Sequence, residues 1–361
     1  MLPPIPLARY ATVPGGQMLH IRPPTRYASL PPALTGFRPT DAARASEMLR
    51  LFARPHVDCP AEAVMLYRNA LVLDGKQVLG ADGTGVAESF PLLLQPHHAG
   101  WQQTHLDRVA RGDLAHVDPA GPPVVAIFGE CAFNYGHMLV EMLPRLVLLA
   151  EMGLRELRLL FPAEAEPLRA MVSFALHAMG LTGTLLPCPA GTALRVAALH
   201  WVSPVALHEH RKSPTLLRLM EHLRAAAPPP DGPARLYIAR PAAARRKVVN
   251  AAAVEQAAVA AGYAVVEPSR LDFPTQLALF AGARQILGPM GAALTSLAAM
   301  APGGTVAMLD DGACDPFFWD LACLCEQRFR CGFTGDVAAY DMAMLDRPMT
   351  VPPALLAELL A

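Results

Sequence analysis

Short apolar runs alternate along most of the chain with longer stretches in which apolar residues recur at helical spacing. The run VVAIF (residues 124–128) predicts a buried strand. Residues 137–152 predict a helix with Leu139, Met142, Leu143, Leu146 and Leu149 on its apolar face. Pro144 falls inside that helix, so a kink is expected there. A strand over 158–161, a helix over 164–179, a strand over 194–201 and a helix over 213–226 capped by Ser213 follow. Upstream, residues 63–79 are apolar and broken by Asp74-Gly75, which predicts a hairpin. Residues 1–40 are Pro-rich and read as an irregular arm.

The run AAAPPPDGPA (residues 225–234) reads as a linker. Beyond it the alternation is clearer. Strands are expected at 235–239, 263–266, 285–287 and 305–309. Helices are expected from Asn250, as cap, to about Ala261, and over 273–282, 292–300 and 316–325. The reading divides the chain into an arm (1–40), an N-terminal domain (41–225), a linker (226–234), a C-terminal domain (235–345) and a tail helix (346–361). Strands alternating with helices imply an α/β fold with parallel sheets covered on both faces. Ligands are then expected near the carboxyl ends of the strands.

Composition narrows the picture. The chain has 361 residues, enough for two domains; 53% are hydrophobic and 17% charged, which excludes disorder over most of its length. Net charge is −1, which argues against nucleic acid as a partner. The uncharged run 286–309 has the length of a membrane span, but Gly288, Pro289, Gly291, Pro302, Gly303 and Gly304 divide it into strand, turn and helix. Pro3, Pro4 and Pro6 interrupt the N-terminus, which does not read as a signal peptide, so a cytoplasmic protein is expected. The seven cysteines show no CxxC spacing and read as core residues. His97–His98, His208 and His210 read as surface histidines, and no metal site is expected.

Three stretches could carry chemistry. In residues 128–146, Asn134 and Gly136 suit a turn, and His137 and Glu141 share one helix face just after it. Such a pair can deprotonate a hydroxyl. The competing reading has Glu141 pairing with Arg145 and His137 as an ordinary helix-start residue. In residues 235–250, Arg240, Arg245, Arg246 and Lys247 precede a helix and could clamp phosphate, or form a solvated basic loop. In residues 286–300, Gly288 and Gly291 flank a strand-to-helix turn where a ligand could approach backbone N–H groups; close packing of strand and helix calls for the same glycines. Neither GxGxxG, a P-loop, GxSxG, HExxH nor Asp-x-Asp occurs.

Together, NYGHMLVEMLPRL (residues 134–146) and the run 235–309, with RLYIAR, RRKVVN and ILGPMGAALTSL, resemble glycosyltransferase family 61. The resemblance implies a GT-B-like architecture of two Rossmann-like domains with parallel sheets on a central cleft, the N-terminal one on the acceptor side and the C-terminal one holding a nucleotide-sugar donor. It implies an inverting, metal-independent transfer from a nucleotide sugar, UDP-sugar first among them. The acceptor would be a glycan or lipid-linked hydroxyl in bacterial capsule, exopolysaccharide or lipopolysaccharide synthesis, with peripheral association at the inner membrane. By the same resemblance Arg240 with Arg245 or Arg246 hold the diphosphate. Glu267 and Gln276 belong to the donor signature, and Gly288, Gly291 and Ala292 form the phosphate-facing turn. Asn134 and Tyr135 lie on the acceptor side, and Glu141, with His137 as alternative or orienting partner, is the base. Met290 stands where the family usually has His, and Ala251 where it usually has an acidic residue. Those two departures motivate the alternative of a catalytically inactive binding or scaffold member.

Overall fold

A computed structural model describes residues 15–86, 89, 114–206, 211–241, 247–338 and 347–361. Arg245, Arg246, His97, His98, His208 and His210 lie outside the described residues. In chain order the described strands are β1 (Gly16–Arg22), β2 (Thr25–Ala28), β3 (Ala33–Thr35), β4 (His56–Cys59), β5 (Glu62–Leu73), β6 (Gln77–Leu79), β7 (Ala115–His116) and β8 (Val124–Ala126). They continue with β9 (Glu156–Pro162), β10 (Thr182–Cys188), β11 (Ala193–Val202), β12 (Arg235–Ile238), β13 (Ala264–Val266), β14 (Gln285–Pro289), β15 (Thr305–Asp310) and β16 (Arg328–Phe333). The chain forms two compact units, one of Met1–Thr25 with Cys59–Leu207, the other of Arg26–Asp58 with His208–Ala361.

The first unit is built on a sheet of order β1-β5-β11-β8-β9-β10, with β6 added to β5 and β7 to β11. The pairs β11–β8, β8–β9 and β9–β10 are parallel. By contrast, β1, β11 and β6 all pair antiparallel with β5. An all-parallel sheet was expected here, so the finding is a correction: half of this sheet is antiparallel. For the β5–β6 pair the cause lies in the Asp74-Gly75 turn. Both residues sit at positive φ, 52° and 71°. That conformation reverses a strand within two residues and leaves its neighbour antiparallel. Tyr67, Val72, Val124, Leu160 and Trp201 meet in the core beneath the sheet.

The second unit holds a sheet of order β13-β12-β14-β15-β16-β3, parallel throughout. Its strands β12 to β16 alternate with helices Ala251–Ala260, Phe273–Gly282, Ala292–Ala299 and Phe317–Leu324, close to the ranges read from the pattern. The helix Ala292–Ala299 is of the 3-10 type. The Pro-rich run 225–234 joins the helix Thr215–Ala226 to β12 within this unit. The stretch read as an irregular arm supplies β1 to the first sheet and β3 to the edge of the second. Residues 26–58 are fastened to the second unit by a buried ionic group. Asp320 accepts from Tyr27 Oη (2.8 Å) and Arg54 Nη2 (3.0 Å), and Lys212 Nζ lies 3.6 Å away. Lys212 and Asp320 are both fully buried, and such charges persist only when paired.

Two sequence expectations change in detail. Asn250 precedes the helix Ala251–Ala260 but makes no side-chain cap. Its amide instead donates to Val351 O (2.9 Å) and accepts from Val351 N (3.0 Å), tying the C-terminal segment to the sheet. The helix expected over 137–152 is a composite. One α turn (Tyr135–His137) passes into a π-helix (Met138–Met142), and an α-helix (Arg145–Glu151) follows Pro144. Leu143 N donates to Met138 O, five residues back, at 2.9 Å. Pro144 has no N–H to continue the ladder, so the extra residue is absorbed just before it.

Candidate functional site

Strand order locates a crevice in each unit. In the first, β8, β9 and β10 are laid down in one direction, and β11 returns to the other side of β8. The loops leaving β8 and β11 therefore diverge, which is where α/β sheets receive ligands. The loop after β8 is Gly129–Asn134. Cys131 takes a left-handed conformation (φ 60°). Asn134 N donates to Cys131 O (2.8 Å), and Asn134 Oδ1 accepts from Gly136 N (2.8 Å) and His137 N (3.5 Å). Asn134 is thus the N-cap of the turn Tyr135–His137.

His137 Nδ1 lies 3.0 Å from Glu141 Oε2, with both side chains mostly buried. The i, i+4 relation read from the sequence holds through the α-to-π passage. Arg145, which the competing reading gave to the Glu141 carboxylate, donates to the Glu141 carbonyl oxygen (3.1 Å) and to Val202 O (3.5 Å). Val202 ends β11, so Arg145 links the two sides of the switch point.

A polar group unseen in the sequence holds the turn from below. Lys76, buried in the Asp74-Gly75 hairpin, places Nζ 3.2 Å from Glu164 Oε1 and 3.9 Å from Glu130 Oε2. Gln77 donates to Glu130, and Glu164 Oε1 accepts from Ala132 N (3.1 Å). Burial, then the charges of Glu130, Glu141 and Glu164, push the Cys131 thiol up to about 11, against a small opposing effect of Lys76. Cys131 is therefore protonated at neutral pH and a poor nucleophile. No local spacing signals this group: its members come from a hairpin, a loop and a 3-10 helix.

In the second unit β12 leads to β13 on one side, and β14 returns to the other side of β12 before β15 and β16 continue outward. The switch point lies between the carboxyl ends of β12 and β14. Arg240 follows β12, and its Nη2 donates to the Met290 carbonyl at the end of β14. A Cβ on Gly291 would meet the Arg240 guanidinium, so any larger residue there would have to displace the end of that side chain. One on Gly288 would come within 2.8 Å of Ile238 Cβ, which makes Gly288 a strand-packing residue. Ala292 opens the 3-10 helix.

Met290 is bound into the sheet through its N–H to Leu309 O (2.9 Å), and its side chain is buried. Arg240, Gly288, Met290, Gly291 and Ala292 thus come together at one edge. Glu267 and Gln276 are engaged elsewhere. Glu267 pairs with Arg270 (3.0 Å) and accepts from Ser269 (3.1 Å), while Gln276 donates to Leu271 O (3.0 Å). Among the described residues, no group of three or more His, Cys, Asp or Glu side chains could hold a metal ion, and no helix is long and apolar enough to cross a membrane.

No curated protein matches the chain. Residues 135–307, the stretch that carries His137 and Glu141 at one switch point and Arg240, Met290 and Gly291 at the other, match the family model described as Glycosyltransferase 61, which supports a place in that family and glycosyl transfer as the class of activity.

Proposed function

We propose that the chain is an inverting, GT-B-like glycosyltransferase, with the first unit taking the acceptor and the second a nucleotide-sugar donor. The observation that carries this reading is the His137–Glu141 pair, 3.0 Å apart, at the first switch point. An acceptor hydroxyl attacks C1 of the donor sugar from the face opposite the leaving group. The new O–C1 bond forms as the C1–O bond to the diphosphate breaks, and the hydroxyl proton passes to Glu141. His137 holds that carboxylate in place. Charge builds on the departing nucleoside diphosphate, and Arg240, with Arg245 or Arg246, neutralises it without a metal. UDP-sugar is the first donor to try. The acceptor is a glycan or lipid-linked hydroxyl of a bacterial surface polysaccharide, reached in the cytoplasm or at the inner membrane surface.

A second assignment of the proton rests on which imidazole nitrogen meets Glu141. Contact through Nδ1 leaves Nε2 to accept the proton, with Glu141 as the orienting group. Glu141→Gln and His137→Ala separate the two. If Glu141 is the base, E141Q lowers kcat by roughly 10²- to 10⁴-fold with donor affinity kept, and H137A costs less. If H137A is the more damaging, the imidazole is the base. Loss of donor binding in E141Q contradicts both assignments. The inactive-member reading keeps a foothold in Met290, whose buried apolar side chain stands where the resemblance places a His. It requires nucleotide binding without turnover.

A further inference from the structure

The loop after β8 exposes an aromatic ring where helix physics normally hides one. Phe133 directly precedes the N-cap Asn134, and a residue there usually folds over the fourth helical position, here Met138. Met138 is fully buried, yet Phe133 is 57% exposed. It has the one aromatic side chain among the exposed large hydrophobics of the described residues. The exposure is not slack. Glu164 fixes the N–H of Ala132 on one side, and the Asn134 cap fixes the other. An independent feature lies at the start of the same loop. Gly129 is buried and outside the left-handed region, yet no described atom lies within 4 Å of where its Cβ would sit. The carboxyl end of β8 thus leads directly to a rigidly presented ring.

We propose that Phe133, presented at the carboxyl end of β8, forms the acceptor subsite, with the ring stacked on the apolar C–H face of an uncharged sugar unit. This rests on the transferase reading, which places the hydroxyl-activating pair four residues further along the chain. Sugar rings present C–H faces to aromatic rings and keep their hydroxyls at the edge, where Glu130 and Glu164 can accept. Among the described residues, the three carboxylates Glu130, Glu141 and Glu164 face the two permanent cations Lys76 and Arg145 here, with His137 beside Glu141. That charge balance selects against acceptors carrying a carboxylate at this position.

The experiment pairs kinetics with a binding readout that needs no turnover. Phe133→Ala should raise acceptor KM by roughly fivefold or more, with kcat and donor KM unchanged, and Phe133→Trp should restore it. In Phe133→Trp the new indole is read as the difference from wild type, in which Trp201 and Trp319 are buried and Trp101 lies outside the described residues. Its emission should change saturably with malto-, cello- or N-acetylchito-oligosaccharides, the wild-type protein serving as blank. Oligogalacturonides should bind more weakly. An emission response in a protein that transfers no sugar supports the subsite while the transferase reading falls. An unchanged acceptor KM in F133A, or no emission response to any neutral oligosaccharide, overturns the proposal. Tighter binding of oligogalacturonides overturns its charge selection. A monomer–dimer equilibrium abolished by F133A would reassign the ring to an interface between copies and overturn it as well.

Discussion

At the scale of single residues, the candidate site consists of a few side chains whose positions follow from backbone geometry. His137 and Glu141 were legible in the sequence because four residues is one helical turn, and the π passage shifts that relation without breaking it. Arg240 and Gly291 were legible as residue types. Their mutual dependence was not, since fifty residues separate the guanidinium from the carbonyl it binds. That dependence is open to test. Gly291→Ala should displace Arg240 and weaken nucleoside diphosphate binding by about 10- to 100-fold, the worth of a charge-assisted hydrogen bond, while the fold persists. Calorimetric titration checks it, and unchanged affinity would separate Arg240 from the diphosphate. Lys76, Glu130, Glu164 and Phe133 were not legible, because three of them acquire meaning only when separate elements converge and the fourth only through its exposure.

At the scale of elements, the parallel strands β8, β9, β11, β12, β13, β14 and β15 were read to within about two residues at each end, whereas the parallel strands β10 and β16 were not read. Strands buried on both faces write themselves as continuous apolar runs, and helices between them carry caps and stops such as Asp272 and Gly262. What escaped includes β10 at one edge of the first sheet, β16 inside the second, and the short edge strand β3. β3 has three residues and only part-buried side chains, which leaves no periodicity to read. The helix Ala42–Phe52 has a cap in Asp41, which accepts from Ala43 N and Arg44 N, a signal the Pro-rich surroundings obscured. Asn250 shows the reverse failure, a residue of capping type claimed by the backbone of Val351, about a hundred residues away.

The end of β15 supplies a prediction at this scale. Asp310 is fully buried, and its carboxylate accepts from the N–H groups of Gly312, Ala313 and Cys314. Burial outweighs those bonds and raises its pKa from 3.8 to about 6. The folded protein therefore keeps a proton that the unfolded chain releases. Stability is greatest below about pH 4 as far as this group is concerned, falls as pH rises toward about 6, and is then level. The loss is about 3 kcal/mol, two units at about 1.4 each. Asp310→Asn should flatten the dependence of Tm on pH across that window, and an unchanged slope would mean that Asp310 is ionised throughout.

At the scale of the whole molecule, the chain is divided between two compact units in a way that no local pattern expresses. Residues 26–58 precede most of the first unit yet fold with the second, held by the Lys212–Asp320 group. Nothing local in the sequence specifies a partner some 270 residues away, as Arg54 finds in Asp320. The antiparallel half of the first sheet escaped for a related reason: a hairpin was read at Asp74-Gly75, but its consequence for strand direction across the sheet depends on which strands pair. The His137–Glu141 pair of the first switch point and the whole of the second nonetheless fall within residues 135–307, which match the glycosyltransferase family. The central claim, that the second unit binds a nucleotide-sugar donor through Arg240, can be tested most directly by thermal denaturation of the wild-type protein and Arg240→Ala with UDP, GDP, CMP, NAD and a panel of nucleotide sugars. A ligand at 100 times its Kd adds about 2.7 kcal/mol, a rise of a few degrees in Tm. The account predicts such a rise for one nucleoside diphosphate and its sugars in the wild type, and its loss in Arg240→Ala. Folded wild-type protein that responds to none of them, or equally with and without Arg240, would contradict it.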